Sequence, residues 1–164
     1  MEEKGRNKII FLLGLVVLAG GFVLFISLIW RCPQAVEADL SALQAALREQ
    51  GLDEATQSGT DQLLKRRFEL LPSAYEDLFY LAPETFMDVE ELLVIRAAAA
   101  DQASIRQAME KHLESLKNSF ENYGTDQYSV LQQALIYQND RYICYAAGHR
   151  AGEMMELVRR MIER

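Results

Sequence analysis

The sequence predicts an α+β fold: a small antiparallel sheet with helices packed on one face, preceded by a transmembrane helix. Three observations predict it. Residues 9–30 form an uncharged apolar run. Two pairs of short runs rich in aromatic and β-branched residues follow, at 75–82 with 91–98 and at 134–138 with 141–146. Amphipathic helical patterns lie between and after those pairs. The element order is α-β-β-α-β-β-α, which gives a sheet layered with helices. The expected organisation is a cytoplasmic N-terminus at 1–8, a membrane helix at 9–30, a helical stalk and loop at 31–62, and an extracytoplasmic domain at 63–164.

The run IIFLLGLVVLAGGFVLFISLIW is 22 residues long without a charge. At about 1.5 Å per residue it spans roughly 33 Å, against a hydrocarbon core of about 30 Å. Only a helix satisfies its own backbone in lipid. Trp30 stands at the far end, where an indole prefers the interface, and Arg31 and Pro33 close the span. Lys4, Arg6 and Lys8 precede the run, so the positive-inside rule keeps the N-terminus in the cytoplasm and puts the domain outside. A cleaved signal peptide is the alternative, but its apolar region is usually about 7 to 15 residues. A lipid-anchored Cys32 is opposed by the bulky Ile29, Trp30 and Arg31 before it. Gly14, Gly20 and Gly21 lack the four-residue spacing of a helix-dimerisation motif.

Charge narrows the partners. The chain has 17 basic and 24 acidic side chains, and residues 1–31 hold four of the former and two of the latter. The remaining 13 basic and 22 acidic residues leave the rest of the chain at −9. A domain that acidic repels phosphate backbones, which argues against nucleic acid as a partner. The two cysteines, Cys32 and Cys144, are too few for a disulfide framework and lack neighbours at metal spacing. Two free thiols are expected, with a single bridge between them as the alternative.

Past the span, Val36, Leu40, Leu43 and Leu47 recur at helical spacing, and Gly51 supplies a stop. This helix is expected to dock on the domain, with a short stalk coiled coil of under two heptads as the alternative. Residues 52–60 read as a loop. Asp61 is expected to cap a short turn through Leu64 and Arg67, which Pro72 ends. The clearest element starts with Asp101 as N-cap. Its apolar stripe runs through Ile105, Ala108, Met109, His112, Leu113, Leu116, Phe120 and Tyr123 to a stop at Gly124. A hairpin turning on Asn139-Asp140 then sets Tyr137 opposite Tyr142, Leu135 opposite Cys144 and Ile136 opposite Ile143. A last helix directs Met154, Met155, Leu157, Val158, Met161 and Ile162 inward, with Arg159, Arg160 and Arg164 at its C-terminal end.

Candidate chemistry is sparse. His112 lies on the apolar edge of the long helix and reads as a packed or half-exposed imidazole; His149 follows Gly148 in a more exposed place. No serine, cysteine or carboxylate pattern frames either one, so no catalytic residue is assigned. The acidic run Glu69, Glu76, Asp77, Glu84, Asp88, Glu90 and Glu91 holds no lysine or arginine. It lacks the spacing that wraps calcium and reads as a solvated face. No phosphate loop, zinc motif or nucleophile elbow appears, and neither metal nor cofactor is assigned. Tyr137, Tyr142 and Tyr145, with His149, are the candidate ligand or partner surface, because tyrosine stacks and hydrogen-bonds at once.

Four segments carry a resemblance: LLKRRFEL at 63–70, MDVEELLVIRA at 87–97, LESLKNSFENYGTDQYSVLQ at 113–132 and ALIYQNDRYICYAA at 134–147. With them the chain resembles the domain of unknown function 4358 family of Gram-positive bacteria. The resemblance implies an exported protein, lipid-anchored or membrane-spanning, with no attached activity and no catalytic residues to carry over. The resulting expectation is a single-pass protein of the cell membrane. Its partners are the bilayer through 9–30 and an envelope protein or polymer bound by a non-enzymatic domain. The alternative is a small-ligand receptor or enzyme built on the tyrosine-rich hairpin and His149.

Overall fold

A computed structural model describes residue 21 and residues 39–163. The apolar run at 9–30, apart from residue 21, and Cys32 lie outside the described residues. Among the described residues no helix is long and apolar enough to cross a membrane.

The elements are α1 (Leu40–Glu49), β1 (Thr56–Ser58), α2 (Asp61–Phe68), a 3-10 turn (Pro72–Ala74), β2 (Asp77–Pro83), β3 (Glu91–Arg96), α3 (Ala99–Phe120), α4 (Thr125–Leu131), β4 (Leu135–Gln138), β5 (Tyr142–Ala147) and α5 (Ala151–Ile162). Among the described residues five strands form one sheet in the order β1-β2-β3-β5-β4, antiparallel throughout.

Helices cover both faces of the sheet, whereas the sequence predicts one. The cause lies in β3 and β5, where nearly every residue is buried. Successive strand side chains point to opposite faces. Leu93, Ile95, Ile143 and Tyr145 enter one core with Leu64 and Phe68 of α2, Ile105 and Met109 of α3, and Val130 and Leu131 of α4. Leu92, Val94, Tyr142, Cys144 and Ala146 enter a second core with α1 and α5.

Helix α1 docks on this second face through Leu40, Leu43 and Leu47, each burial being worth about 2 kcal/mol. Asp39 caps its start by accepting from the Ser41 N–H at 2.9 Å. Its end is a Schellman turn: Gly51 at φ +59° donates to the Arg48 carbonyl, Leu52 donates to that of Leu47, and Leu52 is itself buried. In α5, Met154, Met155, Leu157 and Val158 are buried, with Met161 and Ile162 packed beside them.

Other elements differ from expectation in detail. Thr60, not Asp61, caps α2, its hydroxyl accepting from the Leu63 N–H at 3.2 Å. Helix α3 starts at Ala99 without a side-chain cap, and Asp101 sits in its first turn, where a carboxylate favours the helix dipole. It ends at Phe120, and α4 is an additional element. Strand β1 occupies part of the stretch read as a loop. The hairpin register is shifted by two: Tyr137 pairs with Cys144, Leu135 with Ala146 and Ile136 with Tyr145. Asn139 explains the shift. Its side-chain oxygen accepts from the N–H groups of Arg141 and Tyr142 at 3.0 and 2.8 Å, while its own N–H donates to the Tyr142 carbonyl. The chain therefore turns on Asp140-Arg141, with no positive φ at either residue.

Candidate functional site

Glu91 opens β3 on the same face as Leu93 and Ile95, and its side chain is fully buried. An ionised carboxylate in that place requires partners. Three elements supply them. Arg67 of α2 donates from Nε to Oε1 at 2.9 Å, and the Tyr80 hydroxyl of β2 donates to the same oxygen at 2.5 Å. His112 of α3 brings Nε2 to 2.8 Å from Oε2. Burial opposes ionisation of Glu91. The hydrogen bond and charge of His112, the Arg67 charge and the Tyr80 hydroxyl outweigh it, holding the carboxyl below the ordinary glutamate range.

Aromatic rings seal the cluster. Phe68 meets Tyr80 and Tyr145 edge-on, at 5.9 and 5.8 Å between centroids, and lies tilted against His112 at 4.1 Å. His112 meets Tyr145 edge-on at 5.9 Å. Gly59 lets Tyr80 take its position: a Cβ there would lie 1.9 Å from Cδ1 of that ring. The Gly59 N–H also donates to the Tyr80 carbonyl at 2.8 Å. The Tyr145 hydroxyl is buried without a hydrogen-bond partner. Burial, with the Glu91 charge second, pushes its pKa up, so it stays a neutral phenol. Burial does the same for Tyr80.

Carboxylate, imidazole and phenol are groups capable of proton transfer, and the guanidinium beside them is a fixed positive charge. Here they face each other, and both Glu91 oxygens are occupied. A groove of about 740 Å³ runs alongside, lined by Phe68, Leu71, Ala108 and Lys111 among others, but neither Glu91 nor His112 lines it. The arrangement ties α2, α3 and β2 to one carboxylate.

The four sequence-predicted surface residues are not brought together. Tyr142 is buried in the second core and Tyr145 in the first, on opposite faces of the sheet. Tyr137 packs at the rim of the second core, its hydroxyl donating to Glu163 at 2.6 Å, with Arg159 over its ring at 4.8 Å. His149 is 70% exposed and pairs through Nδ1 with Glu90 at 2.6 Å. His112 is packed, one of the two states expected at its helical position. Cys144 is a free, buried thiol whose pKa burial pushes up to about 12. Among the described residues, no group of three or more histidine, cysteine or acidic side chains is placed to hold a metal ion.

Sequence reasoning missed Glu91, which was counted in a solvated acidic run. The available signal was its parity with Leu93 and Ile95. Of that run Glu69, Glu76 and Glu84 are exposed and Asp77, Asp88 and Glu90 are partly buried, and the turn at Thr85 to Asp88 is held by hydrogen bonds. The Asp88 carboxylate accepts from the Thr85 N–H at 3.0 Å and the Thr85 hydroxyl at 2.7 Å, and the Met87 N–H donates to that hydroxyl at 3.2 Å. The turn holds Phe86 out with 86% of its surface exposed, next to the half-exposed Met87.

No curated protein and no solved structure matches this chain. A family model described as Domain of unknown function (DUF4358) matches residues 49–148, more than half of the sequence, and the chain belongs to that family.

Proposed function

We propose that this is a single-pass membrane protein, anchored through residues 9–30, whose outward-facing domain binds an envelope protein or polymer and carries out no chemistry itself. The apolar run and the basic residues Lys4, Arg6 and Lys8 before it support the anchor and the orientation. The observation that carries the binding reading is Phe86. A phenylalanine on a turn fixed by three hydrogen bonds is a preorganised aromatic anchor, able to enter a partner's pocket at little ordering cost. Glu84 and Glu90 flank it, which favours a partner with cationic groups around an apolar pocket. The sealed Glu91 cluster supports a non-enzymatic reading, because its ionisable groups are consumed in holding helices to the sheet.

The test is site-specific photocrosslinking in intact cells, with a benzophenone side chain at position 86 and, as a control, at the exposed Ser119. A discrete adduct from 86 that is absent from 119 is the expected result. Equal labelling from both positions, or none from 86, contradicts a binding surface at this turn.

A further inference from the structure

The sheet ends at β4, and no described strand pairs with its outer side. The Asn139 N–H points at β5, where it donates to the Tyr142 carbonyl. Backbone groups alternate along an antiparallel strand, so Tyr137 and Leu135 also face β5, while the N–H and C=O of Ile136 and Gln138 point outward. Such an edge templates strand addition unless it is blunted by charge, proline or a bulge. Strand β4, with sequence LIYQ, has no charged residue and no proline, and Leu135 is 40% exposed.

Its surroundings are equally neutral. Residues 127–139 form the longest uncharged stretch among the described residues, in a chain segment that carries −9 overall. The charges against Tyr137, Arg159 and Glu163, pair with each other at 3.1 Å. The opposite edge differs: β1 is three residues long and flanked by Glu54 and Asp61. Like charges on two acidic domains repel each other, and β4 brings none to the contact.

We propose that β4 is the contact between two copies of this chain, paired antiparallel about a twofold axis through Tyr137. In this register Ile136 of one copy exchanges hydrogen bonds with Gln138 of the other, and the converse, so all four outward groups on each strand are satisfied. The two Tyr137 residues face each other as a non-hydrogen-bonded pair. Leu135 of each copy lies opposite Asn139 of its mate. The two five-stranded sheets become one of ten strands. This pairing stands apart from the Phe86 turn and does not depend on which side of a membrane the domain occupies.

Disulfide trapping in the full chain, in its membrane and on a Cys32→Ser, Cys144→Ala background, which removes the thiol opposite position 137 in β5, tests the register. Facing Cα atoms in a non-hydrogen-bonded pair are about 4.5 Å apart, within disulfide reach. Tyr137→Cys is expected to give a covalent dimer on mild oxidation. Leu135→Cys alone, displaced from its own copy by more than about 10 Å along the strands, is expected to give several-fold less. Ile136→Cys and Gln138→Cys expressed together are expected to crosslink, because their Cα atoms face each other across the pair at about 5.5 Å. Gln138→Pro, which removes an outward N–H and leaves the bonds to β5, is expected to lower the Tyr137→Cys dimer several-fold. No dimer from Tyr137→Cys, or equal dimer from Tyr137→Cys and Leu135→Cys, overturns the proposal. Adducts to a different protein at Tyr137→Cys in place of the dimer overturn it equally, assigning the edge to another partner.

Discussion

Oε2 of Glu91 and Nε2 of His112 lie 2.8 Å apart, joining the first residue of β3 to the middle of α3 with neither side chain open to solvent. Arg67 occupies the other carboxylate oxygen, so one acidic group in the sheet holds two helices. Removing the carboxylate leaves the largely buried Arg67 guanidinium without its partner, which costs more than the contact itself contributes.

Glu91→Gln is therefore expected to destabilise the protein by about 3–5 kcal/mol near neutral pH, measured by denaturant unfolding of the detergent-solubilised chain. The pH dependence follows from the depressed carboxyl pKa. In the unfolded chain Glu91 titrates near an ordinary value of about 4.3. Its contribution is complete above that value and is lost as the pH falls through the lower folded value. The native protein should lose stability on acidification below about pH 4.3, and Glu91→Gln should flatten that slope.

The two tyrosines beside Glu91 should respond in opposite ways. Tyr80→Phe removes a hydrogen bond to an ionised carboxylate and should cost about 1.5–3 kcal/mol. Tyr145→Phe removes a buried hydroxyl that has no partner, and should leave stability unchanged or raise it by about 1 kcal/mol. Paired unfolding curves for the two variants check the contrast.

Gly59→Ala places a methyl group inside the van der Waals surface of the Tyr80 ring. The ring is held by Phe68 on one side and by its bond to Glu91, so it has little room to yield. A loss of about 1–3 kcal/mol is expected, with a lower thermal midpoint as the readout.

Where local pattern and tertiary role coincide, the sequence was a sufficient guide. The stripe of α3 as far as Phe120 and that of α5 point to the cores they enter, whereas Tyr123 lies past the helix end and is exposed; Gly51 ends α1 as its position predicts. Strand β1 carries no such signal, because an edge strand with only its first residue partly buried needs no apolar alternation. The two-sided covering of the sheet was present in the unbroken apolar runs LLVI and YICYAA, which one-sided burial does not require. The hairpin register escaped because Asn139 acts through its side chain before the turn instead of within it. The tyrosines were grouped by proximity in sequence, but strand parity sends Tyr142 and Tyr145 to opposite cores. Glu91 was hidden by its acidic neighbours, since its partners Arg67 and His112 lie 24 and 21 residues away.

The central claim is an outward-facing domain on a membrane anchor, and protease shaving of intact cells tests it most directly. A tag at the C-terminus follows the domain. Its loss to external protease before lysis is the predicted result, with residues 1–8 protected inside. Survival of the domain in intact cells, followed by digestion once the membrane is opened, would place it in the cytoplasm and contradict the proposal.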